Sequence, residues 1–120
     1  MNLEKQMKRW DWELSESDGW TGWYIRICKC IAATDSNHPF SNDSKIIPID
    51  APAIPRKPFF AKVFAGDSWY RVSYIKLALR LFRFDDLPEF FNVRLGLAKE
   101  SLLLLKSDTM SVVVAPMREQ

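Results

Sequence analysis

Histidine-based catalysis could use only one side chain in this sequence, and its surroundings do not favour that role. The single histidine, His38, lies in Ser36–Pro39, a segment of turn-forming residues. Any Ser–His or Cys–His arrangement would have to use this residue as its base. A histidine in such a polar loop is typical of a solvent-exposed position. The sequence therefore predicts no catalytic residue.

One pair of adjacent carboxylates, Asp85 and Asp86, could hold a divalent cation or act as an acid and a base. Neighbouring side chains point apart on a strand and diverge by about 100° on a helix, so such a pair rarely acts on one ligand. A turn or a helix cap ahead of Pro88 accounts for both residues without a function. We expect the structural role.

The two cysteines, Cys28 and Cys30, form a C-x-C pair that could bind a metal or react with oxidants. On a single strand their side chains would share a face, and so close a pair is poorly placed to form a disulfide. A structural zinc site requires four ligands, which the neighbouring sequence does not supply. We therefore expect buried or half-buried thiols, with no metal and no cofactor.

The clearest structural signal is a β-hairpin around Gly66-Asp67, a glycine-first pair suited to a two-residue turn. This turn fixes which residues of the two strands face each other. One side of the hairpin is then apolar and is expected to face the core: Phe59, Ala61, Val63, Tyr70, Val72 and Tyr74. The opposite side mixes aromatic and basic residues: Phe60, Lys62, Phe64, Trp69 and Arg71.

This aromatic and basic side has three interpretations. Another element, such as an N-terminal helix, could cover it. It could be a protein-binding hot spot, where tryptophan, tyrosine and arginine are enriched. It could also stack bases while cations hold phosphates, with Lys76, Arg80 and Arg83 as further anion contacts. Lys62 opposite Arg71 is destabilising by a few tenths of a kcal/mol, which a nearby anion would relieve.

Length and charge limit the functional classes. The 120 residues fit one domain, 1–120, and the 48% hydrophobic content is that of a globular protein. Residues 26–83 carry ten basic and four acidic side chains, a net charge of +6, whereas each flank sums to −2. The total of +2 is low for a dedicated nucleic-acid binder. Because no apolar run resembles a signal peptide or a membrane span, we expect a cytoplasmic protein without a membrane partner.

The predicted elements favour an α+β, mainly β fold. Apolar residues spaced by three and four predict an N-terminal helix over 2–14, followed by a strand-rich body over 20–116. Within that body, helix is favoured slightly for 73–84 and either type fits 90–98, so a second helical segment is expected within 73–98. Strands are predicted at Trp20–Ala32, Lys45–Ile49, Ser101–Lys106 and Met110–Ala115.

Together these patterns predict an N-terminal helix packed on a curved antiparallel sheet or a partly open small barrel. The favoured function is that of a small accessory or inhibitor-type protein that docks on a protein partner or complex through the aromatic and basic hairpin side. The alternative is a single-stranded nucleic-acid-binding protein that uses the same side. An enzyme is the third and least favoured hypothesis.

Overall fold

The computed structural model describes residues 12–14, 23–35, 40, 44–56 and 61–117, which contain nine strands and one helix. In chain order these elements are β1 (Trp12–Leu14), β2 (Trp23–Cys28), β3 (Ile31–Asp35), β4 (Ser44–Ile49), β5 (Lys62–Ala65), β6 (Ser68–Arg71), α1 (Val72–Leu79), β7 (Glu89–Leu95), β8 (Leu102–Lys106) and β9 (Met110–Val114).

Seven of the strands form one antiparallel sheet, and the other two form a separate hairpin. The sheet order is β1-β2-β3-β9-β8-β7-β4, and β5 pairs only with β6 among the described strands. The mainly β character predicted from the sequence is confirmed. Among the described strands this sheet is open, with β1 and β4 at its two ends.

The main core lies between the sheet and the layer formed by the hairpin and α1. Alternate residues of β8 and β9 point into it, and they meet Tyr70 from the hairpin and Ile75 from the helix. The fully buried aliphatic side chains of this core include Ile25, Ile31, Ile75, Leu103, Leu105, Val112 and Val114. Complete burial of each such side chain contributes about 1.5–3 kcal/mol before the entropy of ordering the chain is subtracted.

The opposite face of the sheet is apolar as well. Tyr24, Val93, Leu104 and Val113 form a second buried cluster there, and Phe40 packs against it. The continuous apolar runs of β8 and β9 follow from this arrangement, since a strand buried on both faces needs apolar residues at every position.

The hairpin has the register that its turn predicts. Lys62 pairs with Arg71 and Phe64 pairs with Trp69, with Gly66 at φ 67° in the connection. The N–H of Val72 donates to the carbonyl of Ala61 at 2.8 Å, which extends the pairing by one residue. The strand expected to continue to Tyr74 instead ends at Arg71, where α1 begins.

Two predicted elements of the N-terminal half are wrong where they can be compared. The helix expected over 2–14 does not include its last turn, because Trp12–Leu14 is strand β1, paired with β2; residues 2–11 lie outside the described residues. The single strand expected over 20–32 is instead two strands, β2 and β3, joined at Lys29-Cys30.

Other predicted elements agree with the structure in part or in full. Of residues 73–84, for which helix was slightly favoured, 73–79 lie in α1. Of residues 90–98, for which either type was possible, 90–95 lie in strand β7. The strand expected at Lys45–Ile49 is β4, and the last predicted hairpin is β8 and β9.

Gly66 should tolerate a methyl group poorly. Its φ is positive, and an added Cβ would overlap Oδ1 of Asn92 on the facing sheet. Gly96 also has a positive φ, 56°, but an added Cβ there meets nothing within 4 Å. Gly96→Ala should therefore lose only the backbone cost of about 1–2 kcal/mol, and Gly66→Ala should lose clearly more. Urea unfolding of both variants measures this difference, and equal losses would show that Asn92 does not press against the turn.

Candidate functional site

The outer side of the β5–β6 hairpin is the candidate site, and we call it the hairpin face: Lys62, Phe64, Trp69 and Arg71. Residues paired directly across the two strands, and residues two apart on one strand, lie on the same side of the ribbon. Phe64 is 50% exposed and Trp69 is 36% exposed, so the described residues seal neither ring. The covering element that the sequence suggested, an N-terminal helix, falls mostly outside the described residues.

The rings of the hairpin face hold each other in place. The ring centroids of Phe64 and Trp69 are 5.2 Å apart, with an angle of 61° between the ring planes, which is an edge-to-face arrangement. The Nζ atom of Lys62 lies 4.7 Å from the Trp69 centroid. A cation–π contact at an exposed site contributes about 0.5–1 kcal/mol. Lys62 therefore orders Trp69 and keeps its own charge at the surface.

The second cation of the face is fixed over a different ring. The Cζ atom of Arg71 lies 5.6 Å from the centroid of Tyr74, the third residue of α1. Because Lys62 and Arg71 are paired across the strands, two like charges meet at one end of the face. Each cation keeps hydrogen-bond donors available while it stacks, so this end attracts anionic groups.

A group of polar side chains beneath the turn, which we call the polar anchor, fixes the hairpin on the sheet. Its centre is Asn92 of β7, whose Nδ2 donates to the Tyr70 hydroxyl at 2.9 Å and to the Ala65 carbonyl at 3.3 Å. The Asn92 Oδ1 accepts the Asp67 N–H at 3.1 Å. The Tyr70 hydroxyl in turn donates to the carbonyl of Ser101 at 2.6 Å. Because this buried amide has so many hydrogen-bond partners, it allows only one position of the hairpin on the sheet.

Asp67 forms the outer half of the polar anchor. One of its carboxylate oxygens accepts from the Ser68 hydroxyl at 2.8 Å, and the other accepts from the Ser101 hydroxyl at 3.0 Å and from Arg94 at 2.7 Å. The N–H of Ser101 also donates to Oγ of Ser68 at 3.0 Å. The turn is therefore bonded to both β7 and the start of β8.

These contacts change the titration of two groups. Desolvation alone would raise the pKa of Asp67, but the hydrogen bonds from Ser68 and Ser101 and the charge of Arg94 hold that pKa below its ordinary value of 3.8. Burial raises the pKa of Tyr70, which stays protonated and keeps its donor to Ser101 at every physiological pH. Both shifts favour the protonation states that the polar anchor uses.

The other residues expected at the site are distributed less favourably. Phe60 lies outside the described residues. Lys76 donates to the carbonyl of Arg56 at 3.1 Å, and Arg83 forms an ion pair with Asp85 at 3.2 Å. Arg80 is exposed at the end of α1. Two of these three cations thus already have acceptors within the protein, and they do not belong to the hairpin face.

The remaining chemical candidates have structural partners where the chain is described. Asp85 pairs with Arg83, whereas Asp86 accepts from the Thr109 hydroxyl at 2.6 Å, so the two carboxylates serve different contacts. Hydrogen bonds from Thr109 and Ser107 lower the pKa of Asp86. Within the described residues no three histidine, cysteine or acidic side chains cluster as metal ligands would. His38 lies outside them.

Both thiols are free and half-buried, as the sequence predicts. Sequence reasoning did not find the polar anchor, since all its bonds except the one between Ser68 and Asp67 join residues 22 to 34 positions apart. A pattern based on local spacing has no access to such pairs. The only local signal was Gly66 itself, whose missing side chain leaves room for Asn92.

Comparison with protein-family models, with curated proteins and with solved structures finds no match for this chain. The part of the chain that the structure describes has no helix with the length and apolar character that a membrane crossing requires.

The lowered pKa of Asp67 predicts an acid-sensitive contribution to stability. Because the folded-state pKa lies below the unfolded-state value, ionised Asp67 stabilises the fold fully above about pH 4, and this stabilisation is lost as the pH falls through the folded-state pKa. Asp67→Asn should therefore reduce the free energy of unfolding at pH 7, and the deficit should shrink below about pH 4. Asp50→Asn, in the exposed connector after β4, controls for loss of one charge. A deficit for Asp67→Asn that stays constant from pH 7 to pH 3 would contradict this role.

Proposed function

We propose that this protein is a small accessory or inhibitor-type protein that docks on another protein through the hairpin face. The observation that carries the proposal is the exposure of Phe64 and Trp69 on a hairpin whose other side is buried in the core. Exposed aromatic rings beside lysine and arginine have the composition of a binding hot spot, in which a few such residues supply most of the affinity.

Preorganisation supports this function. The polar anchor ties the turn to β7 and β8, and the ring contacts order Phe64, Trp69 and Lys62 before any partner arrives. An interface that is already ordered loses less side-chain entropy on binding, at about 0.5–1.5 kcal/mol for each side chain that would otherwise be immobilised. The ordered hairpin and its ordered rings therefore favour a role as a docking surface.

The charge of the face indicates the chemistry of the partner. Lys62 and Arg71 face each other across the strands, and the nearest carboxylate of the hairpin, Asp67, is already bonded to Arg94. An acidic segment of the partner would relieve the repulsion between the two cations, while its apolar residues would cover the rings. The proposed partner surface is therefore acidic around an apolar centre.

Single substitutions separate this surface from other exposed apolar residues. Phe64→Ala and Trp69→Ala should abolish capture of specific partners by the immobilised full chain from nuclease-treated lysate, because hot-spot truncation typically costs about 2 kcal/mol or more, roughly thirtyfold in Kd. Phe84→Ala is the matched control, since Phe84 is 91% exposed in the loop after α1. Quantitative mass spectrometry of the captured proteins reports the result.

The outcome that would contradict the proposal is capture of the same proteins, in the same amounts, by the wild-type chain and by the Phe64 and Trp69 variants. Charge reversal gives an independent check. Lys62→Glu and Arg71→Glu should weaken capture of those partners, whereas Lys45→Glu, at an exposed lysine of the edge strand β4, should not.

A single-stranded nucleic acid is the second candidate, favoured by the same exposed rings and cations. The affinity of the protein for a single strand should fall by about 0.7 log units per tenfold increase in salt for each phosphate neutralised. Two cations therefore predict a slope near −1.4 in a plot of log affinity against log salt concentration. Fluorescence anisotropy with a labelled oligothymidine measures this slope. The docking proposal predicts that Lys62→Ala and Arg71→Ala leave the weak oligonucleotide affinity unchanged, and a loss of affinity in both variants would favour nucleic acid.

A further inference from the structure

The two cysteines lie at a turn rather than along one strand. Cys28 ends β2, Lys29 and Cys30 form the connection, and Ile31 begins β3 opposite Cys28. The carbonyl of Cys30 accepts the N–H of Ala115 at 2.8 Å, which holds the turn against the chain that leaves β9. Residues two apart span at most about 7 Å when extended, and a turn shortens this toward the Cα separations that disulfides adopt.

The surroundings of the pair are those of reactive thiols. Both side chains are half-buried and therefore reachable from solvent. They line one small cleft together with Arg26 and Lys29, two basic residues. Reactive cysteines typically lie in such partly exposed, electropositive sites, and redox-sensing cysteines often have a second thiol beside them.

The packing of the two side chains distinguishes the sulfur atoms. Cys28 packs against the main core, whereas Cys30 lies in the connection between β2 and β3. The electrostatic effect of Cys30 raises the pKa of the neighbouring Tyr74, so this phenol keeps its proton at neutral pH.

We propose that Cys30 and Cys28 form a peroxide-reactive thiol pair in which Cys30 is oxidised first and Cys28 resolves it. The Cys30 thiolate attacks one oxygen of hydrogen peroxide, so that an S–O bond forms, the O–O bond breaks and hydroxide leaves. The Cys28 thiol then displaces the oxygen of the sulfenic acid and releases water. The two sulfur atoms together lose two electrons to the peroxide, and an added dithiol returns them.

This site is separate from the proposed docking activity and does not require it. The test treats the reduced full chain with hydrogen peroxide, blocks the remaining thiols with N-ethylmaleimide and measures the intact mass. The expected product is a monomer about 2 Da lighter that carries no maleimide, and dithiothreitol should restore both thiols. The same chain unfolded in urea is the control for the intrinsic reactivity of the sequence.

The folded chain should form the internal disulfide several-fold faster than the unfolded chain. Cys28→Ser should stop at a Cys30 sulfenic acid that dimedone traps, and Cys30→Ser should be oxidised much more slowly. Equal or slower oxidation of the folded chain, or a product linked between two chains, would overturn the proposal. A dimedone adduct that forms equally well on Cys28 in Cys30→Ser would overturn the assigned order.

Discussion

The side-chain amide of Asn92 determines where the hairpin lies and therefore which of its sides meets solvent. A buried amide with a missing partner costs about 1–3 kcal/mol, and Asn92 finds partners only when the turn comes close enough to present Ala65, Asp67 and Tyr70. That approach is possible because Gly66 has no side chain to collide with the amide. One glycine and one asparagine, 26 positions apart in the printed sequence, thus fix the position of the whole ribbon.

Fixing the ribbon has opposite effects on its two sides. The inward side is committed to the core, where Tyr70 is fully buried. The outward side carries two aromatic rings and two cations that lie outside that core. Phe64, Trp69 and Lys62 contact one another, and Arg71 lies over the ring of Tyr74. In the proposed docking function, the contacts that order the face would lower the entropy cost of binding an acidic partner.

The sequence predicts the parts of this fold that depend on local rules. The glycine-first turn gave the hairpin register, and the Lys-Leu-Ala-rich segment gave α1, because both are decided within a few residues. The break between β2 and β3 has no such signal, since Lys29-Cys30 contains no glycine, proline or asparagine. For the candidate site, the turn and strand alternation correctly predicted that Phe64 faces Trp69 across the hairpin. The polar anchor could not be predicted in this way. Its bonds join strands that are far apart in the sequence, and local residue spacing carries no information about which distant strands lie together.

The most direct test measures the solvent accessibility of individual side chains in the intact protein. A soluble paramagnetic agent broadens the NMR signals of protons that it can approach. The ring protons of Phe64 and Trp69 should be strongly broadened, while those of Tyr70, on the other side of the same ribbon, should be spared. Equal protection of all three rings would show that another part of the chain covers the hairpin face, and it would contradict the account.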